Sequence, residues 1–229
     1  MKYWLLMLLC TTLSLRAQEL VVGVFAYPPE VLISDNKAGE PQFSGRSVAI
    51  IRRVISASGY RAKFVELPFR RAYSELQNNR IDLLFPATAP DTEIITLLPA
   101  LRTTVPGLCF RQTVNAPSLD NKRELSGLKI AYPAGASIEP LHGLPVELVK
   151  LYGNNMHTRG LNMVKRRRVD ALYHENPSAI DARRLSVQCR AFKGYTASVY
   201  LAASADFSWR HAQLFNQLQY QLRALLEPG

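Results

Sequence analysis

Three loops carry the residues best suited to hold a small molecule or move a proton. His174 and Glu175, with Asn176 and Pro177 behind them, follow an apolar run at residues 169–173. Thr88 follows a second run at 81–85, and Tyr27, with Pro28 and Pro29, follows a third at 20–25. A carboxylate, an imidazole, a hydroxyl and a phenol can each anchor a polar ligand or exchange a proton with one. Arg70 and Arg71 stand where a helix should begin, an electrostatically unfavourable place for cations, which makes Arg70 a candidate for anion recognition. Patterns that carry catalysis are missing. The histidines, His142, His157, His174 and His211, form no His-x-x-x-His zinc pair. No Gly-x-Ser-x-Gly elbow, phosphate-binding loop or dinucleotide fingerprint occurs, and there is no Cys-x-x-Cys. The sequence therefore predicts a binding site made from Tyr27, Arg70, Thr88, His174 and Glu175, with no catalytic residue, cofactor or metal.

Those loops must be positioned by something, and the chain supplies it twice. Arg80-Ile81-Asp82-Leu83-Leu84 and Arg168-Val169-Asp170-Ala171-Leu172 each close a polar helical stretch and open a short apolar strand. Apolar runs at 20–25, 62–67 and 81–85 alternate with helical patterns at 47–58 and 68–79. Val48, Ile51, Val54 and Ile55 recur at helical spacing in the first of these, and Gly59 ends it. After a polar stretch at 112–124 the alternation restarts, with strands at 128–132, 146–151 and 169–173 and a helix at 155–167. Strand, helix, strand in succession predicts βαβ units and mostly parallel sheets. Two such units predict an α/β protein of two lobes. Lobe one would be residues 19–112 plus 193–229 and lobe two 113–192, with an amphipathic helix at 209–226 packed back on the first. Ligands of open α/β sheets bind at the carboxyl ends of strands, which is where all three loops lie. Asp82 and Asp170 open their strands at the other end and read as structural.

Residues 1–17 read as a signal peptide: Lys2, an apolar run of about a dozen residues, then Ala17 at a cleavage point. The run is shorter than the ~20 residues that span a bilayer, and Cys10 lies inside it without a lipoprotein context. The predicted location is therefore the periplasm. The chain carries a formal charge of +10, and removal of Lys2 and Arg16 leaves about +8. Such a balance favours anionic neighbours. Nucleic acid is not an expected partner of an exported chain, and no motif for it is present. Cys109 and Cys189 form a disulfide, which export permits, or serve as two separately buried thiols.

The order of these pieces resembles the type II periplasmic solute-binding proteins, in particular the family 3 group that serves polar amino-acid uptake. The resemblance covers essentially all of the mature chain. It rests on Val21-Val22-Gly23-Val24-Phe25-Ala26-Tyr27-Pro28-Pro29, on Gly45, and on Leu67-Pro68-Phe69-Arg70-Arg71-Ala72 before Arg80-Ile81-Asp82. It continues in Leu125-Ser126-Gly127-Leu128-Lys129-Ile130-Ala131 and in Arg168-Val169-Asp170-Ala171-Leu172. The resemblance implies an aromatic stack on the ligand from Tyr27 and an ammonium-binding carboxylate at Glu175, five residues after Asp170. Two departures stand out. The family's carboxylate-clamping Arg has no counterpart between Asp82 and Leu101, where Thr88, Asp91, Thr92 and Glu93 lie, and Arg46 follows Gly45 where an acid is usual. The expectation is a monomeric, hinge-closing binder of a small, polar, anionic solute, working with a membrane transporter or sensor. Two alternatives stay open: a periplasmic dehydratase-like enzyme with Glu175 as its acid, or a ligand-free adaptor whose cleft is filled by side chains.

Overall fold

A computed structural model describes residues 18–227 apart from 89–93, 114, 122, 135 and 154, together with the backbone of Arg70 but not its side chain. The expected segment 1–17 lies outside the described residues. In chain order the first part comprises strands β1 (Glu19–Val24), β2 (Leu32–Asp35) and β3 (Pro41–Ser44), helix α1 (Arg46–Ala57), strand β4 (Arg61–Glu66) and helix α2 (Phe69–Gln77). Strands β5 (Leu83–Ala87), β6 (Ile94–Thr96), β7 (Arg102–Thr104), β8 (Gly107–Arg111), β9 (Lys129–Pro133) and β10 (Glu147–Leu151) follow. The chain ends with helix α3 (Met156–Lys165), strand β11 (Ala171–His174), helix α4 (Ala182–Leu185), strands β12 (Val187–Ala191) and β13 (Ala197–Ser204), and helices α5 (Ala205–Arg210) and α6 (Ala212–Leu226).

The strands form two main sheets. One has the order β4-β1-β5-β13-β6, with β7 also paired to β13; the other has the order β10-β9-β11-β8-β12. In each, the strands of the βαβ unit run parallel and one further strand pairs antiparallel, the later β13 with β5 in the first sheet and the earlier β8 with β11 in the second. The doubled sequence pattern has a doubled structural purpose. The Asp82 carboxylate accepts the Val21 amide at 2.7 Å, and the Asp170 carboxylate accepts the Lys129 amide at 2.8 Å. Each acid ties the start of its strand to the neighbouring parallel strand, away from the ligand-facing ends.

The core of the first lobe lies where α1 and α6 cover its sheet. Val48, Ile51, Val54 and Ile55 from α1 meet Leu214, Leu218 and Leu222 from α6, all buried. These are the 3.6-period stripes of two amphipathic helices. The second lobe buries Leu108, Phe110, Ile130, Ala171 and Tyr173 on one face of its sheet and Cys109, Ala131, Leu161, Val164 and Leu172 on the other.

One boundary differs from the sequence expectation. Strand β8, expected at the end of the first lobe, belongs to the second sheet, between β11 and β12. Its residues Gly107 to Phe110 are buried on both faces, so it needs a central slot, and the second sheet supplies one. The first crossing therefore lies at Val105 and Pro106 rather than in the polar stretch at 112–124. Phe192 returns beside it, its amide donating to the Pro106 carbonyl at 2.8 Å. Directly opposite each other on β8 and β12, Cys109 and Cys189 are joined by a disulfide with S–S 2.06 Å. Between the first apolar run and α1, a polar stretch with no alternating pattern forms the β2–β3 hairpin.

Candidate functional site: the cleft between the lobes

From the first lobe, β1 runs into Phe25, Ala26 and Tyr27. The Tyr27 backbone is pinned in a turn, its N–H donating to the Val31 carbonyl at 3.0 Å and its own carbonyl accepting from Glu30 and Val31. Below it, the buried Glu30 side chain accepts the Ser47 hydroxyl at 2.8 Å and lies 3.7 Å from the Arg102 guanidinium. Gly45 lets α1 begin against this turn: its φ is 115°, and a Cβ there would fall on the backbone carbonyls of Pro29 and Glu30. Helix α2 adds Phe69, whose ring lies 5.2 Å from Phe25 edge-on and 5.2 Å from Tyr73. Thr88 follows β5, with its amide donating to the Tyr73 phenol oxygen at 3.3 Å.

From the second lobe, β11 delivers His174, Glu175 and Asn176, all buried. The Thr104 hydroxyl, at the last residue before the crossing, donates to the Glu175 carbonyl at 2.5 Å. Across the cleft, the Tyr27 hydroxyl donates to Glu175 Oε2 at 3.1 Å. Burial pushes the Glu175 carboxyl up to about 7, opposed by the Tyr27 hydrogen bond. Burial, then the nearby Glu175 charge, hold the Tyr27 phenol protonated well above its usual range. The first turn of α3 contributes Met156, His157 and Thr158 to the cleft wall. Burial lowers His157 to about 4, and His174 also lies well below the usual imidazole value, by burial and then by the neighbouring His157.

Together these groups bound a cleft with about 850 Å³ of space between atoms, part of it open to solvent. Its wall is largely aromatic and aliphatic, as small-molecule sites commonly are. Of the residues expected from the sequence, Tyr27, Thr88 and Glu175 come together on this wall. His174 does not line it; it lies behind, with Nδ1 accepting the Asn176 amide at 2.9 Å and its ring 4.3 Å from His157. Its apolar strand neighbours draw it inward. Arg70 belongs to α2, and its side chain, like residues 91–93, lies outside the described residues. Arg46 is exposed at the start of α1 and is not part of the wall. Sequence reasoning missed Phe25, Phe69, Met156 and His157. The strand-end rule that found Glu175 applies equally after β10, where His157 stands on the helix that follows. Among the described residues no cluster of three or more His, Cys, Asp or Glu could hold a metal ion.

No family model and no curated protein matches the sequence. Solved structures do. The amino-acid ABC transporter substrate-binding protein AbpA from Streptococcus pneumoniae, bound to L-arginine, is 18% identical with TM-score 0.73, over 92% of this chain and 90% of that one. The GluR0 ligand-binding core, in complex with L-glutamate, is 16% identical with TM-score 0.74, over 93% and 94%. This chain has the type II solute-binding-protein fold. The same fold is shared with AncCDT-1, an ancestral amino-acid-binding protein and precursor of cyclohexadienyl dehydratase, at 16% identity and TM-score 0.71 over 90% and 88%. At such identities the likeness concerns the fold. The solute-binding-protein fold puts the strand ends of both lobes on one cleft, the arrangement in which Tyr27 meets Glu175 here.

Proposed function

We propose that the mature chain is a monomeric, non-enzymatic binder of a small polar solute, which it holds by closing its two lobes in the periplasm. The solute is delivered to a membrane transporter or reported to a membrane sensor. One observation carries the reading: the Tyr27 hydroxyl and the Glu175 carboxyl, from opposite lobes, meet at the cleft 3.1 Å apart. The space between the lobes speaks against the adaptor expectation, which needs side chains to fill the cleft. The signal-peptide pattern at residues 1–17 supports export, and no helix among the described residues is long and apolar enough to cross a membrane. The described wall holds no Lys or Arg, so the anionic character of the solute rests on Arg70 and the basic charge of the chain.

A thermal-shift screen of the mature chain tests the reading, because a compound that binds only the folded state raises its midpoint. The panel is the standard L-amino acids, short dicarboxylic acids and dipeptides. At least one of these is expected to raise the midpoint. A flat response across the panel overturns the reading.

A second reading is favoured by the buried Glu175 alone. A carboxyl that titrates near neutrality is matched to general-acid work, and it would protonate a leaving hydroxyl in a dehydration. Turnover of a carboxylated ring substrate that disappears in Glu175→Gln would establish it over the binding reading.

A further inference from the structure

His157 is the second residue of α3 and lines the cleft between Met156 and Thr158. Its ring centroid lies 4.3 Å from that of His174 and 6.5 Å from that of Tyr27. His174 is a fixed platform. Its Nδ1 accepts the Asn176 amide, so its proton sits on Nε2 and the ring is neutral. Glu175, next along the chain, is tied by its carbonyl to Thr104 and by its carboxyl to Tyr27. His157 thereby packs, its ring tilted 44° to that of His174, against residues that are themselves held.

Its own bonding is incomplete. Among the described residues, the buried His157 Nδ1 has no hydrogen-bond partner. Buried polar atoms almost always have one, and the nearest acceptors already have donors: Glu175 Oε2 takes the Tyr27 hydroxyl, and His174 Nδ1 the Asn176 amide. The described cleft wall carries no Lys or Arg that could hold the ring. A neutral imidazole keeps one donor and one acceptor, which suits an uncharged polar group better than a second ion.

We infer that His157 is a specificity-determining residue of the cleft, which hydrogen-bonds the bound solute through its uncharged ring beside Glu175. The solute then carries a neutral hydrogen-bonding group, an amide, hydroxyl or ring nitrogen, next to the group that meets Glu175. The inference rests on the solute-binding reading above and deepens it.

Each panel compound that raises the wild-type midpoint is titrated by calorimetry into the mature wild-type chain, His157→Phe and His157→Gln. The Phe variant keeps a flat ring and removes the hydrogen bond; its Kd is expected to weaken by about fivefold or more, the worth of one hydrogen bond. The Gln variant keeps a donor and an acceptor and is expected to recover most of the loss. The ¹⁵N shift of the His157 ring, read by NMR on the wild-type chain, is expected to move on saturation while that of His174 stays, so the inference remains testable if His157→Phe does not fold. Equal Kd in wild type and His157→Phe, equal weakening in both variants, or an unmoved His157 shift overturns the inference and leaves the solute-binding reading standing. No binding by any panel compound overturns both.

Discussion

Tyr27 and Glu175 are separated by 148 residues of chain, yet the hydroxyl of one donates to the carboxyl of the other at 3.1 Å. The first belongs to the lobe built on β1 and the second to the lobe built on β11. The phenol stays protonated because burial and the Glu175 charge both oppose its ionisation. It is therefore a permanent donor, and only the carboxyl end of the bond responds to pH.

Replacing Tyr27 by Phe keeps the ring and removes that donor. Glu175 is then left buried without its side-chain partner, and its carboxyl is expected to titrate higher than about 7, since the bond now lowers it. Leaving a buried acceptor unsatisfied costs about 1–3 kcal/mol. Urea unfolding at pH 8 should show a loss of that size. An unchanged midpoint would mean that the bond contributes nothing to closing the lobes.

Glu175 and the two histidines give the chain opposing pH slopes. The folded carboxyl titrates near 7 against an ordinary 4.5. Between those values the folded chain keeps a proton that the unfolded chain has released, so this group lowers stability as pH rises through the window. His157 at about 4 and the depressed His174 act the other way. As pH falls below about 6.5 the unfolded chain takes up protons first, and stability is lost towards acid. Glu175→Gln removes only the first slope. Relative to wild type the variant should gain stability from pH 4.5 to 8, by about 3 kcal/mol at most. Its own stability should fall more steeply on acidification from pH 6.5 to 4.5. Denaturant titrations at a series of pH values read both, and parallel curves for the two proteins would refute the assignment.

Gly45→Ala should be costly although the residue lies on no cleft wall. A side chain at φ 115° is strained in itself, and its Cβ would fall on the carbonyls of Pro29 and Glu30. The turn that carries Tyr27 must then shift. A loss of about 2 kcal/mol or more is expected, together with weaker binding of any panel compound. A variant with wild-type stability and binding would show that the turn can move freely.

How much of this was legible before the structure depends on which force acts where. The two lobes, the strand ends and Glu175 could be read because the doubled strand motif and the strand-end rule are local in sequence. Strand β8 is not assigned to its sheet by the sequence, because an apolar run states that it is buried and not between which neighbours. His174 adjoins Glu175 in sequence, but successive residues at a strand end face opposite ways, and Glu175 takes the cleft. The strand-end rule covers the segment after β10 as well, but nothing local singles out His157 within it. Its place depends on α3 packing on β9 and β11 and on the ring contact with His174, contacts made by residues far apart in sequence.

The disulfide has a mechanical consequence. The described chain enters and leaves through the first lobe, at β1 and α6, and Cys109 and Cys189 sit just beyond the two crossings. Tension applied between the ends of the folded chain would run along β8 to the sulfur bridge and back along β12. Residues 110–188, most of the second lobe, would carry none of it. While the bridge is intact, pulling could extend the first lobe to its full contour and leave the second as an unloaded loop hanging from two sulfur atoms.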